Sequence, residues 1–130
     1  MQSTENTFKK RLLSGVKPTG RPHIGNYFGA MKQFVDLQND YESFVMVADL
    51  HALNFIQNKE EMHKLTKDLI LDYLGIGLDP KHCTIFKQSS VPAHTSLTWV
   101  FDTLVTVPFM MRAHAYKDAV AKDVEPSMGL

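Results

Sequence analysis

Apolar residues in this chain fall into short unbroken runs, separated by longer stretches in which they recur at helical spacing. Leu12 to Val16 is a brief run that predicts a strand, stopped by the turn-forming residues from Lys17 to Pro22. From Asn26 to about Asn39, Tyr27, Phe28, Met31, Phe34, Val35 and Leu37 repeat along one helix face, with Lys32, Gln33 and Asp36 off it. Phe44 to Ala48 is apolar without interruption, as in a strand covered on both faces of a parallel sheet. Asn58, Glu60 and Glu61 read as the capped, acidic first turn of a second helix. Its stripe is Met62, Leu65, Leu69, Ile70, Tyr73 and Leu74, and Gly75, Gly77 and Pro80 end it. Thr84 to Phe86 predicts a third strand. A further helix is expected to start near Pro92 and to carry Leu97, Val100, Phe101 and Leu104 inward, until Pro108 breaks the pattern. Beyond Ala113 the mixed charges of Lys117, Asp118, Lys122, Asp123 and Glu125 suggest an exposed helix or a mobile loop.

This alternation predicts an α/β layered domain, a parallel sheet of at least three strands with helices on both faces. Ligands of such sheets sit beyond the carboxyl ends of the strands. Two segments are therefore singled out: Ser14 to Asn26 after the first strand, and Ala48-Asp49-Leu50-His51 at the end of the second.

Composition narrows the classes. A length of 130 residues suits one domain. Fourteen basic residues cancel fourteen acidic ones, so no net field holds a polyanion and a general nucleic-acid binder is disfavoured. Cys83 is the only cysteine, which excludes an intrachain disulfide and a cysteine metal cluster and fits a reducing cytoplasm. The six histidines show neither His-x-His nor i, i+4 spacing, so no protein-bound metal is expected. The first ten residues are polar and lack the apolar core of a signal peptide. The tract from Leu97 to Met111 is broken by Asp102 and Pro108, a poor membrane span.

The first loop matches neither the dinucleotide fingerprint nor the P-loop. It does place His23 and Asn26 three residues apart at a helix start, where both side chains can point at one phosphate. Histidine offers a proton-bearing nitrogen and asparagine an amide donor to an oxygen that gains charge in a transition state. The same residues also suit a plain Gly/Pro turn with Asn26 as a helix cap.

Ser-Gly-Val-Lys-Pro-Thr-Gly-Arg-Pro-His-Ile-Gly-Asn over 14–26, with Tyr27-Phe28-Gly29-Ala30 after it, resembles the active-site loop of class I aminoacyl-tRNA synthetases. The likeness is specifically to the tryptophanyl family, whose His-Ile-Gly-His motif ends in Asn, here His23, Ile24, Gly25 and Asn26. Val47 to Ala52 resembles the strand-end segment that lines the amino-acid pocket in that family. Gly77-Leu78-Asp79-Pro80 and Gln88 to His94 resemble its connecting insertion, which packs across a dimer axis and gives His94 a scaffold role.

The resemblance implies the first half of a Rossmann-like nucleotide-binding fold, with a parallel sheet and a helical connecting insertion. A polar tail would cover 1–11, the first half of the fold 12–53, and the dimer-forming insertion with the start of the return to the catalytic fold 54–130. By the same likeness Lys17, Pro18, Thr19, Gly25 and Asn26 contact ATP, Lys117 is a further phosphate candidate, and His23 and Asn26 are catalytic. Leu13, Gly15, Ala48 and His51 would line part of the tryptophan pocket. Mg-ATP, L-tryptophan and tRNA(Trp) are the implied substrates and a homodimer the implied assembly, with no membrane partner. Lys17 replaces a common Gln, and Leu13 stands where an aromatic residue often sits. Family members are considerably longer, adding the second half of the fold, a Lys-Met-Ser-Lys-Ser loop and an anticodon-binding domain. The chain therefore reads as an amino-terminal piece, inactive or severely impaired alone. The alternatives are a tyrosyl-tRNA synthetase fragment, a small nucleotidyltransferase, and a non-catalytic ATP-binding or dimerisation module. Asn26 with Tyr27-Phe28-Gly29-Ala30 speaks for tryptophan over tyrosine.

Overall fold

The computed structural model describes residues 9–123 and 125. The start, 1–8, and the close, 126–130, lie outside the described residues, so only the last part of the expected polar tail 1–11 is seen. Within the described residues three strands, β1 (Arg11–Val16), β2 (Glu42–Val47) and β3 (Cys83–Lys87), pair in parallel in the order β1-β2-β3. Leu13, Phe44 and Thr84 lie side by side, as do Gly15, Met46 and Phe86. The apolar runs thus mark all three strands to within two residues.

Helix α1 spans 24–37 in three parts: a first turn Ile24–Asn26, a widened π turn Tyr27–Met31, and the α-helical Lys32–Leu37. The one-turn α2 (Asp49–Ala52) follows β2, and α3 (Lys59–Gly75) leads back to β3. Asn58 caps α3 as expected, its Oδ1 accepting the Glu61 N–H at 2.9 Å. Gly77, at φ +104°, supplies the left-handed residue that turns the chain away. After β3 come a 3₁₀ turn (Gln88–Ser90), α4 (Ala93–Asp102), α5 (Val107–Met110) and α6 (His114–Ala121).

One core holds these elements together. Val45 and Val47 of β2 meet Met31 and Phe34 of α1 and Leu69 and Tyr73 of α3, with Leu78 and Cys83 completing the cluster. The Phe34 and Tyr73 rings stand edge-on, 6.3 Å between centroids. Burying each side chain of this size contributes about 2 kcal/mol. Because α1 and α3 share these contacts, both crossovers lie on one face of the sheet. This differs from the expected helices on both faces, and the reason is topological. Right-handed crossovers that step in one direction, β1 to β2 to β3, put successive helices on the same side. In β2, Ser43, Val45 and Val47 are buried whereas Phe44 and Met46 are only half-buried, and their neighbour Leu13 is 62% exposed. The apolar run in β2 therefore supplies two faces, of which the described residues close only one.

A second difference concerns α4. It begins at Ala93 beside Pro92 as expected, but Leu97, Val100, Phe101 and Leu104 point outward, Leu104 being 72% exposed and Trp99 73%. The core is already closed by α1 and α3, so no facing layer remains for α4 to enter. Pro108 opens α5 in its first turn, where a missing N–H costs nothing. The charged segment after Ala113 is the exposed helix α6. No helix among the described residues is long and apolar enough to cross a membrane.

Candidate functional site

β1 delivers the chain to a loop, 17–23, at the carboxyl edge of the sheet. Pro18 is fully buried and anchors it, while Gly20 at φ +153° makes a turn that a side chain would strain. At the start of α1 the side chains of His23 and Asn26 each cap a backbone N–H. His23 Nδ1 accepts the Gly25 N–H at 3.0 Å, and Asn26 Oδ1 accepts the His23 N–H at 3.0 Å. This reciprocal pattern is a capping box with histidine in the place of Ser or Thr. Its consequence is chemical. A neutral imidazole that accepts at Nδ1 carries its hydrogen on Nε2. The two acceptors are therefore spent on the backbone, and His23 Nε2–H and the Asn26 Nδ2 amide are left as donors with no protein partner among the described residues. The cap of the turn reading leaves unspent the two donors that the phosphate reading requires. The Gly25 amide is taken by His23. Gly25 itself leaves room for the ring, because a Cβ there would lie 2.9 Å from His23 Cε1.

Two consecutive residues of helix α3 hold the end of β1 and this loop. In the β1–β2 register the Val16 N–H faces the Met46 carbonyl. The Tyr73 hydroxyl joins the same two groups: the Val16 N–H donates to it at 3.0 Å, and it donates to the Met46 carbonyl at 3.1 Å. The phenol thus bridges the ends of β1 and β2, where the Ala48 N–H reaches the Val16 carbonyl at 2.9 Å. Burial pushes the Tyr73 phenol up to about 12, so it keeps its proton. One residue earlier, Asp72 Oδ1 accepts from Arg21 of the loop at 2.8 Å. Lys17 lies against Phe55, its ammonium 4.8 Å from the ring centroid, a contact that ties the loop to the segment after α2. Gly15 is required between the strands, since a Cβ there would collide with the Met46 carbonyl oxygen.

The second strand end is latched to the turn after β3. Asp49 Oδ1 accepts the N–H groups of Leu50 at 3.1 Å and Ser89 at 2.9 Å, and its Oδ2 accepts the Ser89 hydroxyl at 2.5 Å. Asp49 is thus a structural clamp, with both oxygens engaged. His51 Nδ1 lies 3.0 Å from the buried Oε1 of Gln88.

Of the residues singled out in the sequence, Lys17, Pro18, Thr19, His23, Gly25 and Asn26 lie on one connected turn, and Ala48 and His51 follow the adjacent strand at the same edge. Leu13 and Gly15 sit on the half-open face of the sheet beside Phe44 and Met46. Lys117 is exposed on α6, and no hydrogen bond or ion pair joins it to the loop. Among the described residues no three His, Cys, Asp or Glu side chains are placed to hold a metal ion. The Cys83 thiol is buried, donates to the Asp79 carbonyl at 3.3 Å, and is pushed up by that burial, so it offers no thiolate nucleophile. Tyr73, Asp72, Arg21, Gln88 and Ser89 escaped the sequence reading. Tyr73 looks like one more apolar-stripe residue, and only its hydroxyl hints at a partner. The site as a whole offers positioned hydrogen-bond donors rather than a nucleophile.

The matches to known proteins agree with this geometry. Residues 5–129 match the family model for tRNA synthetases class I (W and Y). The chain is 50% identical over 121 residues to the tryptophan–tRNA ligase of Fusobacterium nucleatum, covering 93% of this chain and 37% of that protein. The tryptophan–tRNA ligase of Rhodopirellula baltica is 45% identical over 120 residues, covering 92% and 38%. Among solved structures, the tryptophanyl-tRNA synthetase of Campylobacter jejuni complexed with ADP and tryptophan superposes with a TM-score of 0.83 at 37% identity, over 92% of this chain and 37% of that one. The chain thus spans 37% and 38% of the length of these two curated relatives. With the family model matched from residue 5 to 129, the chain belongs to the class I tRNA synthetases of the tryptophan and tyrosine family.

Proposed function

We propose that this chain supplies the ATP-loop half of the active site of a tryptophan–tRNA ligase. In the first step the carboxylate of L-tryptophan attacks the α-phosphate of Mg-ATP, forming the acyl phosphate bond of tryptophanyl-adenylate as the bond to pyrophosphate breaks. In the second the aminoacyl group passes to the terminal ribose of tRNA(Trp). Neither step calls for a protein nucleophile, and positioning with charge stabilisation carries such reactions. The observation that carries the reading is the His23–Asn26 cap, which points two donors away from the backbone. These would meet phosphate oxygens as they gain charge, with Lys17, Pro18, Thr19 and Gly25 around the nucleotide and magnesium arriving with it. Lys117 would join them only if a movement brought α6 to the loop. Leu13, Gly15, Ala48 and His51 would line one side of the indole and amino-acid pocket. The relatives, named as tryptophan enzymes, favour tryptophan over tyrosine.

A homodimer through the segment after Asn54 completes the proposal. Its support is the exposed apolar surface of α4 and α5, with Trp99, Phe101, Leu104 and Phe109 all more than half exposed. A cytoplasmic location fits the free, buried Cys83. The test is Asn26→Ala in a protein of the relatives' length that carries this chain. Tryptophan-dependent pyrophosphate exchange should fall by about a hundredfold, the scale of one lost oxyanion donor, with a smaller loss of ATP affinity. An unchanged exchange rate would refute the assignment.

A further inference from the structure

We propose that Gln88 is the positioning residue for His51, holding its ring with Nε2 as a free acceptor for an N–H donor of the substrate, a protonated amine. The neighbours of the Gln88 side chain identify its atoms. The His51 backbone N–H, which can only donate, faces it at 3.4 Å, so that atom is the carbonyl Oε1 and not the amide nitrogen. The same Oε1 lies 3.0 Å from His51 Nδ1, so Nδ1 carries the hydrogen. In the neutral ring the lone pair is then on Nε2, which has no partner among the described residues.

Gln88 is itself fixed. It is 7% exposed, its backbone carbonyl accepts from His94 Nδ1–H at 3.1 Å, and the next residue, Ser89, is clamped twice by Asp49. A chain of contacts therefore runs from His94 through Gln88 to His51, and it gives His94 the scaffold role expected of it. The result is a pair of histidines after neighbouring strands in opposite tautomers. His23 accepts at Nδ1 and presents N–H, which suits an anion; His51 donates at Nδ1 and presents a lone pair, which suits a cationic or N–H donor. An amino acid activated by a nucleotide brings both kinds of group to one edge. Naming tryptophan's amine as the donor rests on the proposed function; the anchoring of His51 by Gln88 does not.

The test is long-range proton–nitrogen NMR of the histidine rings in the 130-residue chain, at a pH well above the ordinary histidine midpoint of ~6.5. With no ligand present, His51 should show a protonated Nδ1 and an unprotonated Nε2, and His23 the reverse. Gln88→Met should return His51 to the Nε2–H form that free imidazole favours without altering His23, while Gln88→Glu, which keeps an acceptor, should retain Nδ1–H. An Nε2–H tautomer for His51 in the unsubstituted chain overturns the proposal, and needs no variant to be read. So does an Nδ1–H tautomer that survives Gln88→Met. L-tryptophan should then move the His51 Nε2 resonance, and indole-3-propionate, which lacks the amine, should not. Equal shifts from both overturn the donor assignment. No shift from either overturns the substrate half, with the anchoring judged on the tautomer alone.

Discussion

Tyr73→Phe removes the hydroxyl that bridges the ends of β1 and β2, and its cost follows from the geometry. Two hydrogen bonds vanish, one accepted from the Val16 N–H at 3.0 Å and one donated to the Met46 carbonyl at 3.1 Å. Tyr73 is fully buried, so water does not replace them. Each buried group left unsatisfied costs about 1–3 kcal/mol, and the facing of the Val16 N–H and the Met46 carbonyl in the register recovers some of it. A loss of about 2 kcal/mol is expected near neutral pH, read as a lower urea midpoint at unchanged slope for the 130-residue chain. The pH dependence is a second signature. The folded phenol is pushed from 10.0 to about 12, so above pH 10 the unfolded chain loses this proton while the folded one keeps it. Stability from Tyr73 is thus complete below 10.0 and lost as the pH climbs through about 12, a loss of about 2–3 kcal/mol. The phenylalanine variant lacks that loss, so the gap between the two proteins should close over this range. A neutral-pH difference below about 0.5 kcal/mol, or a gap that does not change with alkaline pH, would refute the bridging role.

Two other perturbations reach the loop and the open surface. Gly25→Ala places a Cβ 2.9 Å from His23 Cε1, so the ring must leave its cap; about 1 kcal/mol of stability and roughly tenfold in ATP affinity should be lost, read by melting and by titration calorimetry. Trp99→Lys on the exposed stripe of α4 should shift sedimentation from dimer to monomer while leaving the melting temperature within about 2 °C, and a clean monomer for the unsubstituted chain at high concentration would remove the dimer.

What the sequence conveyed and what it withheld divide along physical lines. Strands, caps and turns depend on local pattern, so Leu12 to Val16, the Asn58 cap and Gly77 were legible as such. The helix start at the loop was legible too, because residue type and spacing at 23–26 fix a local geometry. Which face of the sheet the helices take was not, since Phe44 to Ala48 reads alike whether the chain itself or something else covers its second face. The outward turn of Leu97, Val100, Phe101 and Leu104 escaped for the same reason: an apolar stripe requires a partner surface without naming it. Contacts between residues far apart in sequence left the least trace. Tyr73 to Val16 and Gln88 to His51 join residues 57 and 37 positions apart, and neither has a motif. The support of the site was therefore hidden where its first contacts were plain.

The central claim is that the turn from Lys17 to Asn26 binds a nucleotide through donors fixed by the His23–Asn26 cap. Titration of the nitrogen-labelled 130-residue chain with Mg-ATP, followed by amide and side-chain NMR, tests it most directly. Saturable shifts should centre on Thr19, Gly25 and the Asn26 side-chain amide, with His23 Nε2–H slowed in exchange, and Gly25→Ala should weaken them. Shifts that never saturate, or that centre on α4 and α5 while His23 and Asn26 stay still, would contradict the claim.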